Sequence, residues 1–340
     1  SATLGQFNDV VSGGGGNDFI YGDSGSDSLS GGGGNDTLEG GDGSDGLSGG
    51  TGTDTLIGGL GTDGLDGGDD NDIYIMRAAN EHTSAEINEG ASVSTGDEVR
   101  FTSTVGETLT LFGGDVGLEI VKISDAAGLT TGTTAESINA SAVTNLLTII
   151  GNDGNNTLIG TGFADIIDGG GGDDTITGGN EADVLTGGAG TADAIAETRD
   201  ADFTLTNTSL VITGDAGAGD TLATIEVANL TGGGSVNTFT VTGWTLAGTL
   251  DGQGNNDIVA ASKDANFTLT DGSLDSSDGM TLFLASINIA NLTGGAADNT
   301  FTVDGWTQNG TLDGGVGTGD TVAATKDVDF ALADGSLSTT

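Results

Sequence analysis

Between Leu4 and Ile75 one apolar residue returns every nine positions, at Val11, Ile20, Leu29, Leu38, Leu47, Leu56, Leu65 and Tyr74. The residues around it divide into eight nonapeptides without insertion: LGQFNDVVS, GGGGNDFIY, GDSGSDSLS, GGGGNDTLE, GGDGSDGLS, GGTGTDTLI, GGLGTDGLD and GGDDNDIYI. In each, a glycine-rich hexapeptide precedes a short alternating segment. Glycine reaches positive φ without steric cost, so the hexapeptide can turn sharply. The three residues that follow suit a short strand that points one side chain inward. Two such units close one flattened coil of 18 residues, and stacked coils bring the apolar residues into an internal ladder. From 76 to 150 the period disappears, and runs such as EVRF (98–101), TLTLF (108–112) and LEIVKI (118–123) read as strands of a less regular solenoid.

The same register fixes a polar position. The sixth residue of every nonapeptide is aspartate: Asp9, Asp18, Asp27, Asp36, Asp45, Asp54, Asp63 and Asp72. In a stacked coil each lies over the aspartate two repeats further on. Carboxylates about 4.8 Å apart, the spacing of adjacent strands, repel one another unless a cation lies between them. Carboxylates together with turn carbonyls form an all-oxygen shell, which is the preference of a hard ion such as Ca²⁺. Turn propensity alone would account for aspartate in general, but not for one fixed position through 72 residues.

The period returns at 151 with GNDGNNTLI, GTGFADIID, GGGGDDTIT, GGNEADVLT and a lengthened GGAGTADAIA. Asp165, Asp174, Asp183 and Asp193 take the acidic place, and Asn156 replaces it in the first copy. A longer repeat of 62–64 residues follows, seen in DADFTLTNTSL (200–210), DANFTLTDGSL (264–274) and DVDFALADGSL (327–337). Each copy is expected to hold about three coils. GTLDGQGNNDIVAA (248–261) and GTLDGGVGTGDTVAA (310–324) place Asp257 and Asp320 as further ligand candidates. Arg199-Asp200, Lys263-Asp264 and Lys326-Asp327 are equivalent in this repeat, and the basic residues are expected in weak exposed ion pairs. The equivalent Trp244 and Trp306 are expected to pack in the solenoid rather than to offer a sugar-stacking platform.

Composition narrows the function. The 340 residues hold 66 glycines, no proline and no cysteine, with 51 acidic side chains against six basic ones and a net charge of −45. Six cations cannot make a nucleic-acid footprint, and an anionic lipid surface would repel the chain. No apolar run approaches the roughly 20 residues that span a bilayer, so membrane insertion is not expected. The absence of cysteine excludes disulfides and thiolate metal sites. His82 is the single histidine and lies in a polar stretch, so no HExxH zinc pair exists. GLSGG (46–50) matches a nucleophile elbow in letters only, because Ser48 lacks the strand-to-helix context. GDGSDG (41–46) and GLGTDG (59–64) match a dinucleotide fingerprint by glycine content alone. No enzyme activity is expected. The chain opens without a signal peptide, so any export signal is expected elsewhere.

In its nonapeptides the sequence resembles the RTX family, the calcium-binding β-roll repeats of type I secreted bacterial proteins. The resemblance implies Ca²⁺ between the turns of repeats i and i+2, held by the aspartates and backbone carbonyls. That gives six complete sites in the first block and up to three in the second. The expected fold is all-β, a right-handed parallel β-roll or β-solenoid with calcium-binding glycine-rich turns. It divides into a roll at 1–75, an irregular connector at 76–150, a second roll at 151–196 and a solenoid of about 63-residue repeats at 197–340, its third copy truncated. The function implied is an extracellular, secreted structural protein (surface layer, biofilm-matrix filament or adhesin segment) whose rolls fold on calcium after export. Head-to-tail self-assembly is expected from open solenoid ends. The competing reading is a calcium-dependent secretion and folding module of a larger toxin, protease or lipase.

Overall fold

The computed structural model describes residues 2–89, 96–325, 330–333 and 336–339. The chain divides into two compact units, Ser1–Asp193 and Ala194–Thr340. Both are built almost wholly of strands; the one helical element among the described residues is a 3-10 turn, Ala79–Glu81.

In the first unit the nonapeptides alternate between two faces. Phe19–Ser24 pairs in parallel with Thr37–Gly43, which pairs with Thr55–Gly61 and onward to Ile73–Met76. On the other face Val10–Gly15, Ser28–Gly33, Gly46–Thr51 and Gly64–Asp69 stack in the same sense. Partners are 18 residues apart, as in Leu38↔Leu56 and Leu29↔Leu47. The eighth-position residues from Ile20 to Tyr74 are buried and form the internal ladder; Val11 alone is only half-buried. The strands run to six or seven residues rather than three, because the turn glycines also pair, Gly14↔Gly32 and Gly32↔Gly50 among them. In the second roll the strands are the expected three residues: Thr157–Ile159, Ile166–Asp168, Thr175–Thr177 and Val184–Thr186.

The connector continues the roll. Glu98–Phe101 stacks in register on Ile73–Met76, Ile120–Ile123 stacks on it, and Thr148–Ile150 and Ile166–Asp168 follow. The opposite face is interrupted after Gly64–Asp69, where among the described residues the single bridges Leu65↔Ile87 and Asn88↔Val116 remain, before Thr108–Thr110 and Ser137–Asn139 restore it. His82 fills this interruption. It is buried, although its sequence neighbours are polar, with Nδ1 3.1 Å from Glu86 and Nε2 2.9 Å from Asp115. Burial opposes its charge, but the bonds to Asp115 and Glu86 outweigh burial and push its pKa up to about 9. The ring is therefore an imidazolium that donates to both carboxylates.

The second unit departs from a purely parallel solenoid. Parallel stacking holds for Val227–Thr231 on Ala247–Asp251 on Thr281–Ala285, and for Thr238–Val241 on Asp257–Ser262 on Ile287–Thr293. Each long repeat also contains an antiparallel hairpin, Phe203–Thr206 with Ser209–Ile212 and Phe267–Thr270 with Ser273–Ser276. Two-residue loops, Asn207-Thr208 and Asp271-Gly272, turn these strands back. The hairpin consumes residues without advancing the coil, so one repeat makes about two and a half coils instead of three. Equivalent strands of successive repeats consequently change faces: Val227–Thr231 lies opposite the sheet that holds Ile287–Thr293. Trp244 and Trp306 are buried, as expected, with Nε1 donating to the carbonyls of Ala247 and Asn309.

The basic residues of the long repeat do pair with carboxylates, Arg199 with Asp215 at 3.1 Å and Lys263 with Asp278 at 2.7 Å. The exposed setting is wrong for Lys263. Its side chain is only 3% exposed, and Nζ also donates to the Trp244 carbonyl, so the ammonium anchors the hairpin over the tryptophan. Lys326 and Asp327 lie outside the described residues.

Candidate metal centres

Asp27, Asp36, Asp45, Asp54, Asp63 and Asp72 are buried, and Asp9 and Asp18 half-buried, each immediately before a strand of the roll. Stacking converts the nine-residue period into two columns of carboxylates. Along them the backbone N–H of each aspartate donates to Oδ1 of the aspartate 18 residues on. All six pairs of the first block make this bond: Asp9 to Asp27, Asp18 to Asp36, Asp27 to Asp45, Asp36 to Asp54, Asp45 to Asp63 and Asp54 to Asp72, at 2.6–2.8 Å. One oxygen of each carboxylate is thus satisfied by a neutral donor. The other, Oδ2 of Asp27, Asp36, Asp45, Asp54, Asp63 and Asp72, is buried and receives no hydrogen bond. A buried anionic oxygen without a partner costs several kcal/mol unless a cation or proton meets it.

What lies beside these oxygens is another oxygen. A methyl group built on Gly40, the first residue of its nonapeptide, would touch Oδ2 of Asp45 and, at 2.6 Å, the carbonyl oxygen of Gly58. Gly22 stands likewise between Asp27 and Gly40, and Gly31 between Asp36 and Gly49. The turns that begin at Gly13, Gly22, Gly31, Gly40 and Gly49 therefore each hold a cradle, closed to any side chain, between a carboxylate and the carbonyl of the equivalent glycine one coil on. This donor set is hard, anionic and entirely oxygen, and it fits Ca²⁺.

The later candidates stack in the same way, but Asp165 differs in that its Oδ2 already accepts the Thr161 N–H at 2.5 Å. Asp165, Asp174, Asp183 and Asp193 are buried, and Oδ1 of Asp183 and Asp193 accept from Asp165 and Asp174 at 2.8 Å. Asp257 is buried with Oδ2 unpartnered, and Oδ1 accepts the Asn237 N–H at 2.7 Å. Asp320 is half-buried and accepts from Asn299 at 2.7 Å. Asn156 differs in kind. Its Nδ2 donates to the Glu136 carbonyl and to Asn152 Oδ1, so an amide proton occupies the direction in which an aspartate would offer charge.

Several members of the columns are missed by the nine-residue count. The Asp72 N–H donates to Asp97 Oδ1 at 2.8 Å, and the Asp97 N–H to Glu119 Oε2 at 2.9 Å. Glu136, whose buried Oε1 has no partner, precedes Ser137–Asn139 as Asn156 precedes Thr157–Ile159. The column of Asp72 and Asp97 is interrupted only at Leu147, whose N–H nonetheless donates to Asp165 at 2.7 Å. The available signal is an acid immediately before an alternating run, as in Asp97-EVRF and Glu136-SIN.

Crowding of buried carboxylates raises their affinity for protons. Burial, reinforced by the charge of the neighbouring rung, pushes Asp54 and Asp63 up to about 6 and Asp72 and Asp174 up to about 7, against the lowering effect of the backbone N–H each accepts. An unfolded aspartate titrates near 3.9. Folding without metal therefore takes up protons between about pH 4 and pH 7, and stability falls as pH rises through that window. His82, raised to about 9, acts in the same direction, since its contribution is lost as pH climbs through that value. In EDTA the β-sheet dichroism that remains should accordingly be greater at about pH 5 than at about pH 8, a gap that saturating calcium narrows. Equal or greater dichroism at the alkaline pH would contradict the proton assignment.

A parallel β-roll whose turns stack carboxylates against carbonyls is a calcium-binding structural module. Residues 4–38, 39–74 and 150–185 match the family model of the RTX calcium-binding nonapeptide repeat, and these segments belong to that family. No curated protein matches the chain.

Proposed function

We propose that this chain is part of an extracellular, secreted structural protein, a surface-layer, matrix-filament or adhesin segment, whose rolls fold on calcium after export. The proposed ligands are the carboxylates of Asp9, Asp18, Asp27, Asp36, Asp45, Asp54, Asp63, Asp72, Asp165, Asp174, Asp183, Asp193, Asp257 and Asp320, with turn carbonyls completing each shell. The observation that carries the reading is the row of buried, unpartnered Oδ2 atoms from Asp27 to Asp72, those of Asp27, Asp36, Asp45 and Asp54 beside turn carbonyl oxygens. These groups have a use only where calcium is abundant. Extracellular modules bind with dissociation constants of about 10⁻⁴–10⁻³ M, well above submicromolar cytosolic calcium. The lack of cysteine is compatible with that setting.

A structural role follows from what calcium does here: it bridges one coil to the next and so converts a repulsive stack into a stiff one. Parallel stacks end in strands with unpaired backbone groups, which suits addition of a further copy head to tail. Electron microscopy of the native material with calcium and with EDTA tests the proposal. Filaments or lattices that need calcium are the expected result. Isolated monomers under both conditions would remove the structural reading and leave the secretion-module alternative.

A further inference from the structure

We propose an additional divalent-cation site, of the calcium class, at the end of the first roll, formed by Asp72 together with two residues outside the repeats, Glu89 and Asp97. One carboxylate oxygen from each of the three lies within 4.8 Å of the others, and all three residues are buried. Oxygens bound to one Ca²⁺ at about 2.3–2.6 Å can be no more than about 4.6–5.2 Å apart, so the cluster is already at coordination spacing.

Independent of the cluster, Asp72 Oδ2 is fully buried and receives no hydrogen bond. It points at Gly67, the first glycine of the last nonapeptide, where an added methyl group would strike it. Glu89 reaches the same glycine, its Oε1 accepting, beside the Tyr74 hydroxyl, the Gly67 N–H at 3.2 Å and its Oε2 the Gly68 N–H at 3.4 Å. The unpartnered oxygen thus faces the space that Glu89 borders. Asp97 enters because Glu98–Phe101 stacks on Ile73–Met76, which puts it one rung beyond Asp72.

Charge favours a cation here. Three buried carboxylates converge, and the basic residues of this unit are held elsewhere: Arg77 by Glu39, Arg100 and Lys122 by Glu98, His82 by Glu86 and Asp115. Within the roll, the carbonyl of the equivalent glycine two repeats on lies beside the carboxylates of Asp27, Asp36, Asp45 and Asp54. The nonapeptide period stops at Ile75, and Glu89 brings a third carboxylate to the site. The site would clamp the connector to the roll, where the regular face of the solenoid is interrupted.

The test uses the full chain and terbium(III) as a calcium analogue. Anomalous scattering from terbium-soaked crystals of the unaltered protein should show a peak between Asp72, Glu89 and Asp97. Equilibrium dialysis should find one fewer bound ion per chain in Glu89→Gln, while Asp66→Asn, which removes an exposed charge, keeps the full number. Peaks in the nonapeptide turns with none at this cluster, or an undiminished count in Glu89→Gln, would overturn the site and leave the calcium reading of the repeats intact. No bound ion anywhere would overturn that reading itself. The crystallographic arm does not depend on the variant folding.

Discussion

Chelation with EDTA is expected to abolish most of the β-sheet circular dichroism of residues 4–193, and calcium to restore it. At tenfold excess over Kd, a bound ion stabilises the folded state by about 1.4 kcal/mol. Six sites in the first roll then supply about 8 kcal/mol, as much as the whole stability of a typical domain, about 5–15 kcal/mol. Removing them leaves the unpartnered Oδ2 atoms of Asp27 through Asp72 facing one another's fields. The second unit should respond less. It has two repeat-like aspartates, Asp257 and Asp320, and is held by other means: stacked rings of Phe203 with Phe239 at 5.2 Å and Phe267 with Phe301 at 5.6 Å, and the ion pair of the buried Lys263 with Asp278. Both tryptophans, Trp244 and Trp306, lie in this unit and both tyrosines, Tyr21 and Tyr74, in the first. Tryptophan emission should therefore change less than the dichroism when EDTA is added. Unchanged β content after chelation would refute the calcium dependence of the roll. A full loss of the tryptophan signal alongside it would refute the independent support of the second unit.

The sequence made the roll legible because two demands repeat in every coil: a carboxylate at the turn and an apolar side chain inside. Asp36 and Leu38 stand for all the others, and their spacing alone specifies which strand stacks on which. The connector obeys the same demands with irregular turn lengths, so Asp97 and Glu119 keep the column while escaping a count of nine. The acid-before-strand rule is the more physical form of the motif, since it depends on where a strand begins rather than on the length of the preceding turn. His82 was not legible. Its partners Glu86 and Asp115 come from a stretch without periodicity and from a strand-free segment 33 residues away, and only the tertiary path brings them together. The hairpins were missed for a different reason: FTLTNTSLVI alternates equally well for parallel and antiparallel pairing. The Asp271-Gly272 dipeptide was a local sign that the chain turns back.

Gly50→Ala is expected to destabilise the calcium-loaded roll by about 2–6 kcal/mol, combining left-handed backbone strain of about 1–3 kcal/mol with a steric clash of similar size. Gly50 has φ +116°, and the added methyl group would be driven into the carbonyl oxygen of Gly32 on the coil beneath. That carbonyl belongs to a continuous stack, Gly14↔Gly32↔Gly50↔Gly68, in which no rung can retreat without moving its neighbours. Gly49 beside it lines the cradle of Asp54, so the displacement also weakens ion binding. Gly14→Ala separates the two contributions. Gly14 holds the same place in its nonapeptide with φ +99°, yet nothing lies within 4 Å of the added methyl. It should show the conformational cost alone, a smaller fall in the thermal midpoint and little change in the calcium concentration needed for folding. Equal losses in the two variants would mean that close coil-on-coil contact contributes nothing, and that glycine is required in these turns for its φ alone. A larger loss for Gly50→Ala, with its calcium midpoint shifted upward, would show that the turn is built from glycine because the next coil and its ion leave no room for anything else.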